Sequence, residues 1–132
     1  MASIFSKIIA GEIPCHKIYE DEHHLAFLDV MPLAKGHVLC VPKKEIDYIF
    51  DLSEQEMAAL WQFTLPVAKA MRKAIPCKRI GTAVIGLEVP HAHVHLIPLQ
   101  SVDDINFSRP KLTISPEELA NIAELIKAQL LY

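Results

Sequence analysis

Residues 89–99 read VPHAHVHLIPL, and no other stretch restricts the fold of this chain so tightly. His91, His93 and His95 alternate with Ala92, Val94 and Leu96. In a strand, side chains two apart share a face, so the sequence predicts a row of three imidazoles backed by an apolar row. Pro90 and Pro98 bracket that strand. At ~3.3 Å per residue, neighbouring histidines would sit ~7 Å apart and the outer two ~13 Å.

Three chemistries compete for such a row. A His-x-His pair on a strand can bind zinc with nitrogens ~2.0–2.1 Å from the ion. The outer two rings do not easily share one ion, so a further ligand would come from His23, His24, His37 or Glu88, and one histidine stays unexplained. Alternatively, a neutral imidazole can attack phosphorus and split one displacement into two. That chemistry needs a ring held in one tautomer and donors for the phosphate oxygens, and it uses all three residues. Ordinary sheet-face histidines are the third reading, which suits one histidine better than three in a row.

The surrounding chain builds a core for this strand. SIFSKIIA (3–10) reads as a short amphipathic helix stopped by Gly11 and followed by Pro14. CHKIYE (15–20) and HLAFLD (24–29) read as two strands around a turn at Asp21, Glu22 and His23. HVLCVP (37–42) is a third strand, entered through Gly36, and KRIGTAVIG (78–86) a fourth. Between them Ser53 and Glu56 form a capping box. Met57, Leu60, Trp61, Thr64, Ala68, Met71 and Ile75 then repeat at helical spacing. Pro66 predicts a kink in this helix. Phe63 and Val67 widen its apolar arc, as expected of a helix that also packs on a partner subunit. Residues 102–114 read as irregular. Ser115, Pro116 and Glu118 open a last helix to about Leu131. A run of strands with one long helix inserted predicts an α+β fold with a mostly antiparallel sheet, as a single domain over residues 1–132.

Charge and composition narrow the partners. A formal net charge of -3 implies no basic face, which argues against nucleic acid or anionic membrane. No run approaches the ~20 apolar residues of a membrane span. The N-terminal segment lacks the pattern of a secretory signal. Cys15, Cys40 and Cys77 form no Cys-x-x-Cys pair or disulfide framework. A cytoplasmic protein is expected.

HAHVHLI matches His-φ-His-φ-His-φ-φ (φ apolar), the signature of the histidine-triad (HIT) superfamily of nucleotide hydrolases and transferases. IFSKIIAGEIP resembles that family's N-terminal segment, and AFLDVMPLAKGHVLCVPKK its nucleotide-binding strands. The resemblance runs through about residue 100. It implies a five-stranded antiparallel sheet with one long central helix and short terminal helices. Subunits would pair through the central helix and the fourth strand. It also implies that His93 attacks the α-phosphate, that the His91 carbonyl holds the His93 ring N–H, and that His95 and His37 complete the catalytic set. Asp29 would accept the ribose hydroxyls. Ile4, Phe5, Phe27 and Leu28 would form an apolar slot for a purine base. As bland alternatives, Asp29 caps a turn and the four apolar residues belong to the core.

The sequence departs from the family in three places. Some members bind structural zinc through Cys-x-x-Cys near the N-terminus; here those positions are Ser3 and Ser6, and no such site is expected. Phosphoramidase-like members carry a longer Gly-rich loop before the triad than VIGLEVPH. Their hydroxyl residue three before the first histidine is Glu88 here, and the preceding glutamine is Leu87. Glu88 therefore becomes a candidate substrate-binding residue, or else a surface charge facing Lys78 and Arg79. The resemblance implies a homodimeric nucleotide hydrolase or nucleotidyl transferase with a covalent nucleotidyl-His93 intermediate and no cofactor. The alternatives are a nucleotide-sensing module with little turnover and a His-x-His metalloenzyme.

Overall fold

The central helix follows from its cap. Ser53 accepts the Glu56 N–H at 3.0 Å, and the Glu56 carboxylate accepts the Ser53 N–H at 2.9 Å. In the computed structural model, which describes residues 2–130, this cap opens helix α2, Glu54–Ala74. The remaining elements are α1 (Ile4–Ile9), β1 (Lys17–Glu20), β2 (His24–Leu28), β3 (Val38–Pro42), β4 (Arg79–Ala83), β5 (Val94–Leu99) and α3 (Pro116–Leu130). Single 3-10 turns lie at Ile49–Asp51 and Val102–Ile105. Among the described residues no helix is long and apolar enough to cross a membrane.

The five strands pair antiparallel in the order β1-β2-β3-β5-β4. One face of the sheet presents Ala26, Leu28, Val38, Cys40, Val94 and Leu96 to α2 and α3, which close the main core. The other face carries a second, smaller apolar cluster of Leu25, Phe27, Leu39 and Val41 with Phe5 of α1. The candidate site lies on this second face, so the helices α2 and α3 support it from behind.

Several expectations shift. Phe63 and Val67 are buried inside this chain's own core, at 5% and 0% exposure. Phe63 stacks on Tyr19 and His24. The outward apolar residues of α2 are instead Trp61 (38% exposed) and Leu65 (55%). The arc is wide because α2 packs on both the sheet and α3. The helix continues through Pro66, and the carbonyl this frees belongs to exposed Gln62. β4 ends at Ala83, not residue 86, because Gly86 turns the chain with φ +72.

β5 begins at Val94, so His93 lies in the segment leading into it and His91 at a bend, not in a paired strand. Alternation persists through it: Ala92 faces the main core while His93 turns to the opposite side. Pro98 lies inside β5 instead of bounding it. The ladder with β3 reaches only Leu96, so on that side Pro98 has no partner to lose. α3 is not short: its fifteen residues bury Leu119, Ile122, Ala123 and Ile126 at three- and four-residue spacing. The expected end at Leu131 lies outside the described residues.

Candidate active site

His93 is 6% exposed, and its Nδ1 lies 2.7 Å from the His91 carbonyl oxygen. A carbonyl only accepts, so Nδ1 carries the proton and Nε2 keeps a bare lone pair. Burial pushes the His93 pKa below the ordinary imidazole value, against the upward pull of that hydrogen bond. The ring packs edge-on against Phe5 and His95, with centroids 4.9 and 4.8 Å away. The rings of His93 and His95 thus lean together, closer than the ~7 Å spacing of their backbone positions.

His37 and His95 form a directed pair. The Leu33 N–H donates to His37 Nδ1 at 3.1 Å, which places the His37 proton on Nε2. That N–H donates to His95 Nδ1 at 2.9 Å, leaving His95 with its proton on Nε2. Burial lowers His37 to about 3 and His95 to about 4, helped by the His95, Lys111 and His93 charges on the first and by His93 and Lys111 on the second. Both rings are neutral at neutral pH. The site therefore presents an acceptor nitrogen on His93 beside a donor on His95.

Asp29 follows β2 and is partly exposed. Its Oδ1 accepts the Met31 N–H at 2.9 Å, and its Oδ2 lies 3.7 Å from His37 Nε2. It thus caps a turn and still directs an oxygen toward the histidines. Burial raises its pKa, against that hydrogen bond and the Lys111 charge. Phe5 and Phe27 meet edge to face at 5.6 Å beside His93. Ile4 is 49% exposed on α1. Leu28 is not brought to this face: it is 1% exposed and packs in the main core behind the sheet. Glu88 is exposed, and its charge adds to the rise at Asp29 and opposes the lowering at His93. Among the described residues Glu88 forms no ion pair with Lys78 or Arg79.

Sequence reasoning missed two parts of the site. Phe107, from the segment read as irregular, packs on His95 at 4.8 Å and on His37 at 6.4 Å. Lys111 Nζ donates to the Phe107 carbonyl at 3.0 Å and lies over its ring at 5.5 Å. This positions a cation whose charge opposes the rise at Asp29 and adds to the lowering of His37 and His95. The other missed part lies behind the triad. His91 Nε2 lies 2.7 Å from the Pro42 carbonyl and its Nδ1 2.8 Å from Ser3 Oγ. Glu45 accepts from the Ser3 N–H and the Ser6 hydroxyl, each at 2.6 Å. The signal that could have found them is the family's Cys-x-x-Cys position, where Ser3 and Ser6 stand here.

Asp29, His37 and His95 place ligand-type atoms within 4.8 Å of one another, the one such grouping among the described residues. A two-histidine, one-carboxylate set suits several divalent ions. Here, however, His37 Nε2 spends its proton on His95 Nδ1. An ion at this point would have to displace that proton and the hydrogen bond with it. The His93–His95 pair offers no chelate through Nδ1 either, since His93 Nδ1 serves the His91 carbonyl.

With this geometry, similarity to known proteins becomes specific. A family model described as HIT domain matches residues 10–102. The adenosine 5'-monophosphoramidase hnt1 of Schizosaccharomyces pombe is 34% identical over 98% of this chain and 99% of its own length. A Hit-like protein from Bartonella henselae, described as involved in cell-cycle regulation, superposes with a TM-score of 0.83. It is 31% identical, over 96% of this chain and 95% of that one. A zinc-bound histidine triad family protein from Mycobacterium smegmatis gives 0.81 at 26% identity, over 99% and 94%.

Proposed function

The chain belongs to the HIT family, and from that premise we propose that it is a nucleotide hydrolase or nucleotidyl transferase that works through a covalent nucleotidyl-His93 intermediate. The observation that carries this reading is the 2.7 Å bond from His93 Nδ1 to the His91 carbonyl, which leaves Nε2 as the free nucleophile. The phosphoramidase name of a full-length relative supports a nucleoside monophosphate bonded to an amine as one substrate type.

In the first displacement the Nε2 lone pair bonds to the α-phosphorus. The bond to the leaving group breaks, and that group takes the electron pair and a proton. The imidazole becomes cationic, and its Nδ1–H bond to the His91 carbonyl becomes charge-assisted and stronger. His95, with its proton on Nε2, is the donor for phosphate oxygen or leaving group. Water then attacks phosphorus, its proton replaces the one the leaving group took from His95, the phosphorus–nitrogen pair returns to His93, and a nucleoside monophosphate is released. Asp29 serves the ribose, and Phe5, Phe27 and the exposed Ile4 serve a purine base. Two subunits pair through α2 and the open edge of β4, in the cytoplasm.

Intact-protein mass spectrometry after brief incubation with adenylyl and guanylyl substrates tests the proposal. A nucleotide-sized adduct is expected, and its absence under conditions of turnover would remove the covalent route. A nucleotide-sensing module is the second reading, favoured by the exposed Glu88 charge acting on His93 where a neutral hydroxyl would donate. Tight nucleotide binding without adduct or product would select it.

A further inference from the structure

Behind the nucleophile, four side chains from three distant segments converge. The Ser3 hydroxyl accepts the Ser6 N–H at 3.0 Å and lies 2.8 Å from His91 Nδ1. Ser6 Oγ is 3.5 Å from the same nitrogen and 2.6 Å from Glu45 Oε1, which also accepts the Ser3 N–H. These spacings are those of hydrogen bonds, although family resemblance places zinc-binding cysteines at positions 3 and 6 in some members. The donor set here does not fit zinc. Two serines replace the thiolates, and serine is not a usual zinc ligand. The Ser6 hydroxyl proton is committed to Glu45, and the Ser3 hydroxyl proton to His91.

That last assignment follows from the opposite side of the ring. The Pro42 carbonyl accepts from His91 Nε2, so Nε2 carries the proton and Nδ1 accepts from Ser3. The Ser3 N–H and the Ser6 hydroxyl hold the Glu45 carboxyl down to about 2, which keeps it an acceptor throughout the working pH range. His91 is fully buried, and its ring is held on one side by this network and on the other by the Pro42 carbonyl. The same network anchors α1, whose Phe5 packs edge-on against both His91 and His93.

We propose that Ser3, Ser6 and Glu45 form a metal-independent clasp that holds His91, and through the His91 carbonyl holds the His93 nucleophile in one tautomer and orientation. They are positioning residues that never touch the nucleotide. The inference rests on the reading of His93 as nucleophile, but the clasp can be observed without substrate.

The test is nitrogen-15 NMR of labelled histidine rings in the full chain, before and after chelator dialysis. The variants are Ser3→Ala, Ser3→Thr and Glu45→Ala, alongside turnover of an adenylyl amine and the Kd for AMP. In the wild type, His91 should show a protonated Nε2 and His93 a protonated Nδ1, unchanged by the chelator. Ser3→Ala should shift the His91 Nδ1 resonance and broaden the His93 Nδ1–H signal. It should lower kcat on the order of tenfold, as loss of orientation does, with little change in Kd. Ser3→Thr, which keeps the hydroxyl, should restore both readouts. If Ser3→Ala does not fold, Glu45→Ala carries the test: it removes the acceptor, and Glu45 is exposed. Unchanged His91 and His93 spectra in folded Ser3→Ala or Glu45→Ala would overturn the clasp, as would wild-type spectra erased by chelation. A protein with intact clasp signals and no turnover would instead refute the nucleophile reading alone.

Discussion

His37 Nε2 lies 2.9 Å from His95 Nδ1, and the Leu33 amide decides which of the two carries the proton. Because that amide can only donate, the chain of donors runs from Leu33 through His37 to His95. Replacing His37 with Phe keeps the bulk and removes the donor. His95 then loses its fixed tautomer, and kcat/KM should fall on the order of tenfold or more. The wild-type value in a His37→Phe protein of unchanged fold would show the relay to be idle.

The nucleophile prediction is sharper. His93→Ala should abolish both turnover and adduct while AMP binding stays measurable, because the other polar groups remain. His91→Ala and His95→Ala should cost less, on the order of 10²–10³ in kcat, as positioning and donor groups do. Near-wild-type turnover by His93→Ala on any nucleotide would move the chemistry to another residue.

Stability should respond to pH through the same rings. Burial lowers His93, and lowers His95 to about 4 and His37 to about 3. In the unfolded chain these histidines take up protons near pH 6.5. As pH falls below that value, the unfolded state binds more protons than the folded one, so the folded state loses stability. The loss should grow from about pH 6.5 down to the folded values and then level off. Asp29, with a raised pKa, acts in the opposite sense at the acid end. Urea titrations from pH 7.5 to 4.5 should show a falling midpoint, and a His37→Phe, His95→Phe double variant should flatten the slope. A midpoint independent of pH would mean that these rings titrate normally.

The histidine row was legible because period-two alternation survives outside a paired strand, and the α2 cap because its two partners are local. The same alternation rule applied to β2 would have separated Phe27 from Leu28, since adjacent strand residues face opposite sides. Resemblance had assigned both to one slot. Phe63 and Val67 were misplaced because a wide apolar arc looks alike whether a partner or α3 covers it. Phe107 and Lys111 were not legible at all. They reach the site across a segment without periodicity, and only tertiary packing on His95 reveals them. The Ser3–His91 bond spans 88 positions and leaves no local pattern.

Assembly and core now separate by residue. Trp61 and Leu65 are exposed on α2, near a β4 whose outer edge is unpaired. Sedimentation of the wild type should give about twice the 14.8 kDa chain mass at micromolar concentration. Leu65→Glu should give a folded monomer. Phe63→Ala should instead cost about 3–5 kcal/mol of stability, because its ring is buried in the core. A monomeric wild type would remove the proposed interface, and an unstable Leu65→Glu would place Leu65 in the fold rather than the assembly.

Glu88 and Lys111 bring opposite charges to one site. The Lys111 charge lowers the pKa of Asp29, His37 and His95, while the Glu88 charge raises that of Asp29 and His93. A polyphosphate leaving group adds negative charge, which Lys111 attracts and Glu88 repels. An amine leaving group adds none and, once protonated, favours Glu88. Between solvent-exposed groups, one charge pair is worth up to about 1 kcal/mol, or roughly fivefold in rate. The measurement that checks this is the ratio of kcat/KM for a dinucleoside polyphosphate to that for an adenylyl amine. The ratio should fall about three- to tenfold in Lys111→Met and rise by a similar factor in Glu88→Ser. Both shifts should shrink in 0.5 M salt, because the two side chains are at least partly solvated. Replacing both residues should return the ratio toward the wild-type value if the charges act independently. If Glu88→Ser leaves the ratio unmoved while Lys111→Met shifts it, the carboxylate is a spectator. The shortened loop around Leu87 then becomes the element that selects the leaving group.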